Sequence, residues 1–128
     1  MAEETKYCIL IVDDEPANLD LLRGILHEKF KVKAAINGVQ ALKIALKDPA
    51  PDLILLDIVM PEMDGFSVLA HLRDDSRAEN IPVIFISANA DSEQKQKGIE
   101  LGATGFLSKP INPQMLYSLI EEILNISI

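Results

Sequence analysis

Five short apolar runs, each strand-length and each followed by a stretch of different periodicity, constrain this chain more than any other feature. Runs 7–12, 53–56 and 82–86 are apolar at consecutive positions, the pattern of strands covered on both faces. Run 30–34 alternates apolar residues with Lys31 and Lys33 and so belongs at a sheet edge, while the weaker run 105–107 forms the other edge. Between them come helical spacings: Leu19, Leu22 and Leu26, then Val39, Leu42, Ala45 and Leu46, then Phe66, Leu69, Ala70 and Leu72, and last the apolar stretch 115–124. Capping chemistry agrees. Asn112-Pro113 supplies an acceptor and a first-turn proline, and Glu15-Pro16 can start the first helix similarly. Asp91 followed by Gln94 resembles a capping box, and Gly102 is a natural helix stop. Strands alternating with helices predict one α/β domain over 1–128 with a parallel sheet, right-handed crossovers covering both of its faces. The proline-rich segment 48–52 reads as a stiff loop, not a domain boundary.

The stretch 92–101 stands apart. It offers only Ile99 and Leu101 as strong apolar anchors among Glu93, Gln94, Lys95, Gln96 and Lys97. Weakly anchored segments are where mobility concentrates.

Composition narrows the function classes. Twenty acidic against 12 basic residues give a net charge of −8, and no basic patch is visible to neutralise phosphates, so direct nucleic-acid binding is not expected. No run approaches the roughly 20 apolar residues of a membrane helix, and residues 2–5 are acidic where a secretory signal would be basic and then apolar. A single cysteine cannot form an internal disulfide, and a cytoplasmic location is the natural expectation.

The residues that end the strands carry the chemistry. The first strand runs into Asp13-Asp14, the third into Asp57, the fourth into Ser87, and the fifth is followed by Lys109-Pro110. Ligands of open parallel α/β sheets bind outside the carboxyl ends of the strands, where strand order reverses. If the order is 2-1-3-4-5, that point lies between strands one and three, and Asp13, Asp14 and Asp57 would meet there. Two like charges about 5 Å apart repel by roughly 3 kcal/mol at an effective dielectric of 20. A hard divalent cation such as Mg²⁺ relieves this, leaving one aspartate able to attack phosphorus. The transferred group carries charge on three oxygens, for which the metal, the Lys109 ammonium and the Ser87 hydroxyl or a nearby backbone N–H are counterparts. Singly, an aspartate after a strand is most simply a cap or a turn former, and a lysine a surface residue. Five such residues at one sheet edge are hard to attribute to capping.

These residues resemble the receiver domain of bacterial two-component response regulators. The resemblance is carried by Ile11-Val12-Asp13-Asp14-Glu15, Pro51-Asp52-Leu53-Ile54-Leu55-Leu56-Asp57 and Met60-Pro61-Glu62-Met63-Asp64-Gly65, and continues in Ile81-Pro82-Val83-Ile84-Phe85-Ile86-Ser87-Ala88, Gly102-Ala103 and Lys109-Pro110. It implies a flavodoxin-like doubly wound (βα)5 fold with a five-stranded parallel sheet, order 2-1-3-4-5. It implies Asp57 as phospho-acceptor, and Mg²⁺ held by Asp14, Asp57 and the backbone carbonyl of Val59, with Asp13 supporting the metal through water. Ser87 and Lys109 would bind the phosphoryl oxygens, with a cis bond between Lys109 and Pro110. Phe106 falls at the switch aromatic position, able to rotate inward when Ser87 moves but without a hydroxyl to offer a partner. Val59 and Asn89 occupy the two positions that tune dephosphorylation; Val59 cannot hydrogen-bond a water, whereas Asn89 can, implying an acyl phosphate of intermediate lifetime. The implied phosphodonor is a histidine kinase or a histidine phosphotransfer protein, and the output an effector protein or domain met by the face of the fourth helix, fifth strand and fifth helix. The implied activity is limited to the protein's own phosphorylation and dephosphorylation.

Other features carry less weight. His27 and His71 read as solvated helix residues, Cys8 as a small apolar residue of the central strand, and Met60 and Met63 as part of the loop after Asp57. The last helix carries two stripes, Met115, Leu119, Ile123 and Ile126 beside Leu116, Ile120 and Leu124. One stripe suffices to pack on the sheet, so the surplus widens the core or forms a homodimer or interdomain surface. Three rival functions remain. An aspartate-nucleophile phosphatase would want a second aspartate where Val59 stands. A flavodoxin-like cofactor binder would need a phosphate cradle where Asp13-Asp14-Glu15 repels one. The third is a receiver-like interaction domain independent of phosphorylation.

Overall fold

Alternate residues of each central strand face opposite sides of one sheet, and both sides are covered. This computed structural model describes residues 6–88 and 91–128. The element order is β1 (Cys8–Val12), α1 (Pro16–Leu26), β2 (Lys31–Ala35), α2 (Gly38–Ala45), β3 (Leu53–Asp57), α3 (Gly65–Arg73), β4 (Val83–Ser87), α4 (Ser92–Leu101), β5 (Gly105–Ser108) and α5 (Pro113–Leu124). All strand pairs are parallel, in the order β2-β1-β3-β4-β5. Leu10, Val12, Ile54, Leu56, Val83 and Phe85 point to the side covered by α2, α3 and α4. Ile9, Ile11, Leu53, Leu55, Ile84 and Ile86 point to the side covered by α1 and α5.

The register aligns the carboxyl ends of the central strands: Val12 pairs with Leu56, Asp57 with Ile86, and Ser87 with Ser108. Whatever follows Val12 and closes β3 and β4 therefore shares one edge. Four helices begin on side-chain caps. Asn37 accepts from the Gln40 N–H, Asp64 from Ser67, Asp91 from Gln94, and Asn112 from Gln114 and Met115. Gly102 ends α4 in the left-handed conformation at φ +97°, where a side chain would be strained.

Several local expectations need correction. Glu15 gives α1 no side-chain cap; its carbonyl accepts the first helical bonds while its N–H turns to Asp13. Val39 is exposed, and α2 packs through Gly38 and Ala41 with Ala45, because small residues let the helix approach α3 and the sheet. Ile99 is 60% exposed and anchors nothing; the buried residue of α4 is Gly98. On α5, Leu116 and Ile120 are buried while Leu119 and Ile123 are half-buried and Met115 is exposed, so core and surface share the surplus. Cys8 is half-buried rather than fully so, and burial pushes its thiol above the ordinary value. His27 and His71 are both exposed. No helix among the described residues is long and apolar enough to cross a membrane.

Candidate functional site

The loops after β1, β3 and β5 converge at the aligned sheet edge. Carboxylate oxygens of Asp13, Asp14 and Asp57 all lie within 4.8 Å of one another. Asp13 and Asp57 are only 2% and 6% exposed, so their charges are poorly hydrated. Backbone geometry holds them: the Asp13 N–H donates to the Ala35 carbonyl at 3.2 Å, and Asp13 Oδ1 accepts from the Glu15 N–H at 2.9 Å. Below Asp57, the loop into α3 is drawn tight by a 2.7 Å bond from the Gly65 N–H to the Ile58 carbonyl.

Among the described residues, one cation is paired with this cluster. The Lys109 N–H donates to the Ser87 carbonyl at 2.9 Å, and the Lys109–Pro110 bond is cis, as the resemblance implies. From that fixed backbone the Lys109 ammonium reaches Asp13 Oδ2 at 3.2 Å and Asp57 Oδ1 at 3.5 Å. Burial alone would lower this ammonium, but the carboxylates of Asp57 and Asp13 outweigh it and hold it above the usual lysine value. Asp57 goes the other way. Burial, then the neighbouring Asp13 charge, pushes its carboxyl up to about 6 although Lys109 pulls it down. One lysine does not compensate three carboxylates. An all-oxygen donor set of this spacing fits a small, hard divalent cation rather than a soft one.

Ser87 is 3% exposed at the end of β4, and its Oγ lies 3.5 Å from Gln94 Oε1 on α4. Val59 is 70% exposed in the loop after Asp57. Phe106 is half-buried on β5, against the Phe85 ring at 5.5 Å between centroids. Asn89 lies outside the described residues. Beside Asp13 and Lys109 opens a cleft of about 350 Å³ lined by Asn18, Leu21, Leu22, Ile86, Pro110 and Ile111. The arrangement is a buried carboxylate with a cation beside it and further carboxylates able to bind a metal.

Sequence reasoning missed two parts. The Glu15 N–H that orients Asp13 is a backbone group, invisible in residue types. Arg73 spans from α3 to three carbonyls: Gly102 at 2.9 and 3.2 Å, Ile81 at 2.8 Å and Ala78 at 3.4 Å. It thereby fixes the end of α4 and the entry to β4. Nothing in its local pattern distinguishes it from a surface arginine.

Comparison with known proteins agrees with this geometry. Residues 9–121 match the family model of the response regulator receiver domain. The response regulator PleD of Caulobacter vibrioides is 43% identical over 116 residues, covering 90% of this chain and 25% of PleD. The chemotaxis protein CheY4 of Vibrio cholerae superposes with a TM-score of 0.87 at 31% identity, over 93% of this chain and 99% of that one. The receiver domain of the sensor histidine kinase PA1611 from Pseudomonas aeruginosa, solved with a magnesium ion coordinated in its active-site cleft, gives 0.86 at 25% identity over 94% and 99%. The chain spans about a quarter of the length of the first curated relatives it matches.

Proposed function

The chain belongs to the response regulator receiver domain family, and on that premise we propose that it is a signalling switch accepting a phosphoryl group on Asp57 from a histidine kinase or histidine phosphotransfer protein. The observation that carries this reading is the buried Asp57 carboxylate, with oxygens of Asp13 and Asp14 within 4.8 Å and the Lys109 ammonium 3.5 Å away. An aspartate carboxylate so placed is a competent nucleophile toward phosphorus. An Asp57 oxygen forms the new bond to phosphorus while the donor's bond breaks and the donor leaves with that electron pair. Lys109, already within 3.5 Å of Asp57, neutralises charge on one phosphoryl oxygen, and the Ser87 hydroxyl donates to another. Asp13, Asp14, Asp57 and the Val59 carbonyl would hold Mg²⁺, which when bound neutralises the carboxylates and the incoming phosphoryl charge. The magnesium reported in the cleft of the PA1611 receiver supports that choice.

The cleft beside Asp13, with the exposed Leu21 and half-buried Ile111 on its rim, suits docking of the phosphodonor. Half-buried Phe106 and Leu119 and exposed Met115 line a second groove on β5 and α5. We assign output there, to an effector or to a second copy. The exposed, aliphatic Val59 and the amide of Asn89 favour an acyl phosphate of intermediate lifetime. Replacing Val59 by Asn should then change the hydrolysis rate.

The test is incubation with acetyl phosphate and Mg²⁺, followed by intact mass, beside Asp57→Asn. Gain of one phosphoryl group by the wild type alone, abolished by prior EDTA, is the expected result. Failure to gain mass with Mg²⁺ shown to bind would refute acceptance from small donors and direct attention to a phosphorylation-independent interaction domain. Sustained turnover of a phosphate ester would instead mark a phosphatase.

A further inference from the structure

Helix α4 buries a single residue, Gly98, although glycine is among the poorest helix formers. A Cβ built on Gly98 would stand 2.3 Å from Cζ of Phe106, 3.1 Å from its Cε2 and 3.1 Å from Cδ2 of Phe85. Carbon atoms in contact sit about 3.5–4.0 Å apart, so the tip of the Phe106 ring occupies the place an ordinary side chain would fill. Gly24, in α1, has nothing within 4 Å of the same construction. The ring is the end of a file. Phe106 leans on Phe85, its partner in strand register, and Phe85 meets Phe66 edge-on at 5.3 Å. The Lys97 ammonium, next to Gly98, caps that file 4.6 Å above the Phe66 ring. One turn earlier on α4, Gln94 lies against Ser87.

We propose that Gly98 is a positioning residue of the switch: the notch it leaves in α4 stows the Phe106 ring inward before any phosphoryl group arrives, and so sets the resting balance between the two ring positions. A phenylalanine has no hydroxyl to fix it, so packing alone decides where this ring rests. The missing Cβ makes that decision steric. A ligand acts on a two-state switch only through the states already available to it, and Gly98 determines how populated the inward state is. The consequence for signalling rests on the assignment of Asp57 as phospho-acceptor, but the ring position does not.

The experiment therefore reads the ring first. In protein with ¹³C-labelled phenylalanine rings, the Phe106 signals are assigned by their loss in Phe106→Leu. Nuclear Overhauser contacts from the Phe106 ring to the Gly98 α-protons and the Phe85 ring are expected in the unphosphorylated wild type. Gly98→Ala should abolish the contact to Phe85, and Gly24→Ala should leave it intact. Persistence of that contact in Gly98→Ala, or its absence from the wild type, overturns the proposal. If Gly98→Ala does not fold, recovery on adding Phe106→Leu supports the notch and failure to recover overturns it. The second arm measures mass gain from acetyl phosphate and Mg²⁺. Gly98→Ala should slow it by about tenfold or more, because an inward state too scarce to show the ring contact is correspondingly scarce as the competent state, and should leave it unchanged in the Phe106→Leu background. An equal effect in both backgrounds overturns the proposal. A displaced ring with no phosphorylation of any variant would remove the phospho-acceptor assignment and leave the notch standing.

Discussion

Asp57→Asn should make the metal-free protein more stable, because the fold holds this carboxylate at a cost. A carboxyl moved from its ordinary 3.8 to about 6 is penalised by about 3 kcal/mol when ionised, at ~1.36 kcal/mol for each tenfold change in proton affinity. The sign follows from linkage. The folded state binds the proton more tightly than the unfolded state, so this group favours folding fully below the unfolded value and loses that contribution as pH rises through the folded one. Asparagine is neutral throughout, so its advantage should be about 1 kcal/mol at pH 4.5 and about 3 kcal/mol at pH 7.5. Urea unfolding in EDTA reads it directly. With slopes of about 1–3 kcal/mol per molar, the midpoint at pH 7.5 should rise by roughly 1–3 M. The second cause of the shift is the Asp13 charge, so the gain from Asp57→Asn should be smaller in an Asp13→Asn background. Saturating Mg²⁺ should narrow the gap at pH 7.5 by stabilising the wild type more than the variant, as any ligand specific to the folded state does. A gain that did not grow between pH 4.5 and 7.5, or an Asn variant less stable than the wild type in EDTA, would refute the reasoning.

Three further outcomes follow from particular contacts. Arg73→Ala should cost about 2–3 kcal/mol in urea unfolding, since it strips a charged donor from the carbonyls of Gly102, Ile81 and Ala78; Arg73→Lys should recover only part, lacking the planar fork. Gly65→Ala should destabilise by about 2–3 kcal/mol and impair phosphorylation, because the new Cβ would stand 2.4 Å from the Asp57 carbonyl oxygen and 2.9 Å from Ile58 Cα, both backbone atoms with nowhere to go. Lys109→Met should lift the Asp57 midpoint further above about 6 in metal-free protein, read by carboxyl ¹³C shifts, because Lys109 is the group lowering it.

Strand type and the residues that end the strands were legible in the chain because each depends on local pattern, whereas the sheet order was implied by the resemblance to receiver domains. Consecutive apolar positions suffice for a doubly covered strand, and 2-1-3-4-5 then brings the ends of β1 and β3 together whatever the packing details. Asp13, Asp14, Asp57, Ser87 and Lys109 could be read as a group for the same reason: each stands at or just beyond a strand's carboxyl end, a position set by counting along the chain. Helix faces were less legible. The spacing of Val39 and Ile99 marks them as apolar anchors, yet α2 and α4 turn glycines and alanines inward instead, since close approach rewards small size and hydropathy does not record it. Tertiary structure alone decided that Lys109 would bridge Asp13 and Asp57, that burial would raise Asp57, and that Arg73 would hold the end of α4. It alone set the Phe106 ring into the space left by Gly98. Those outcomes depend on distances between segments far apart in the chain, and distance, unlike periodicity, leaves no mark on neighbouring residues.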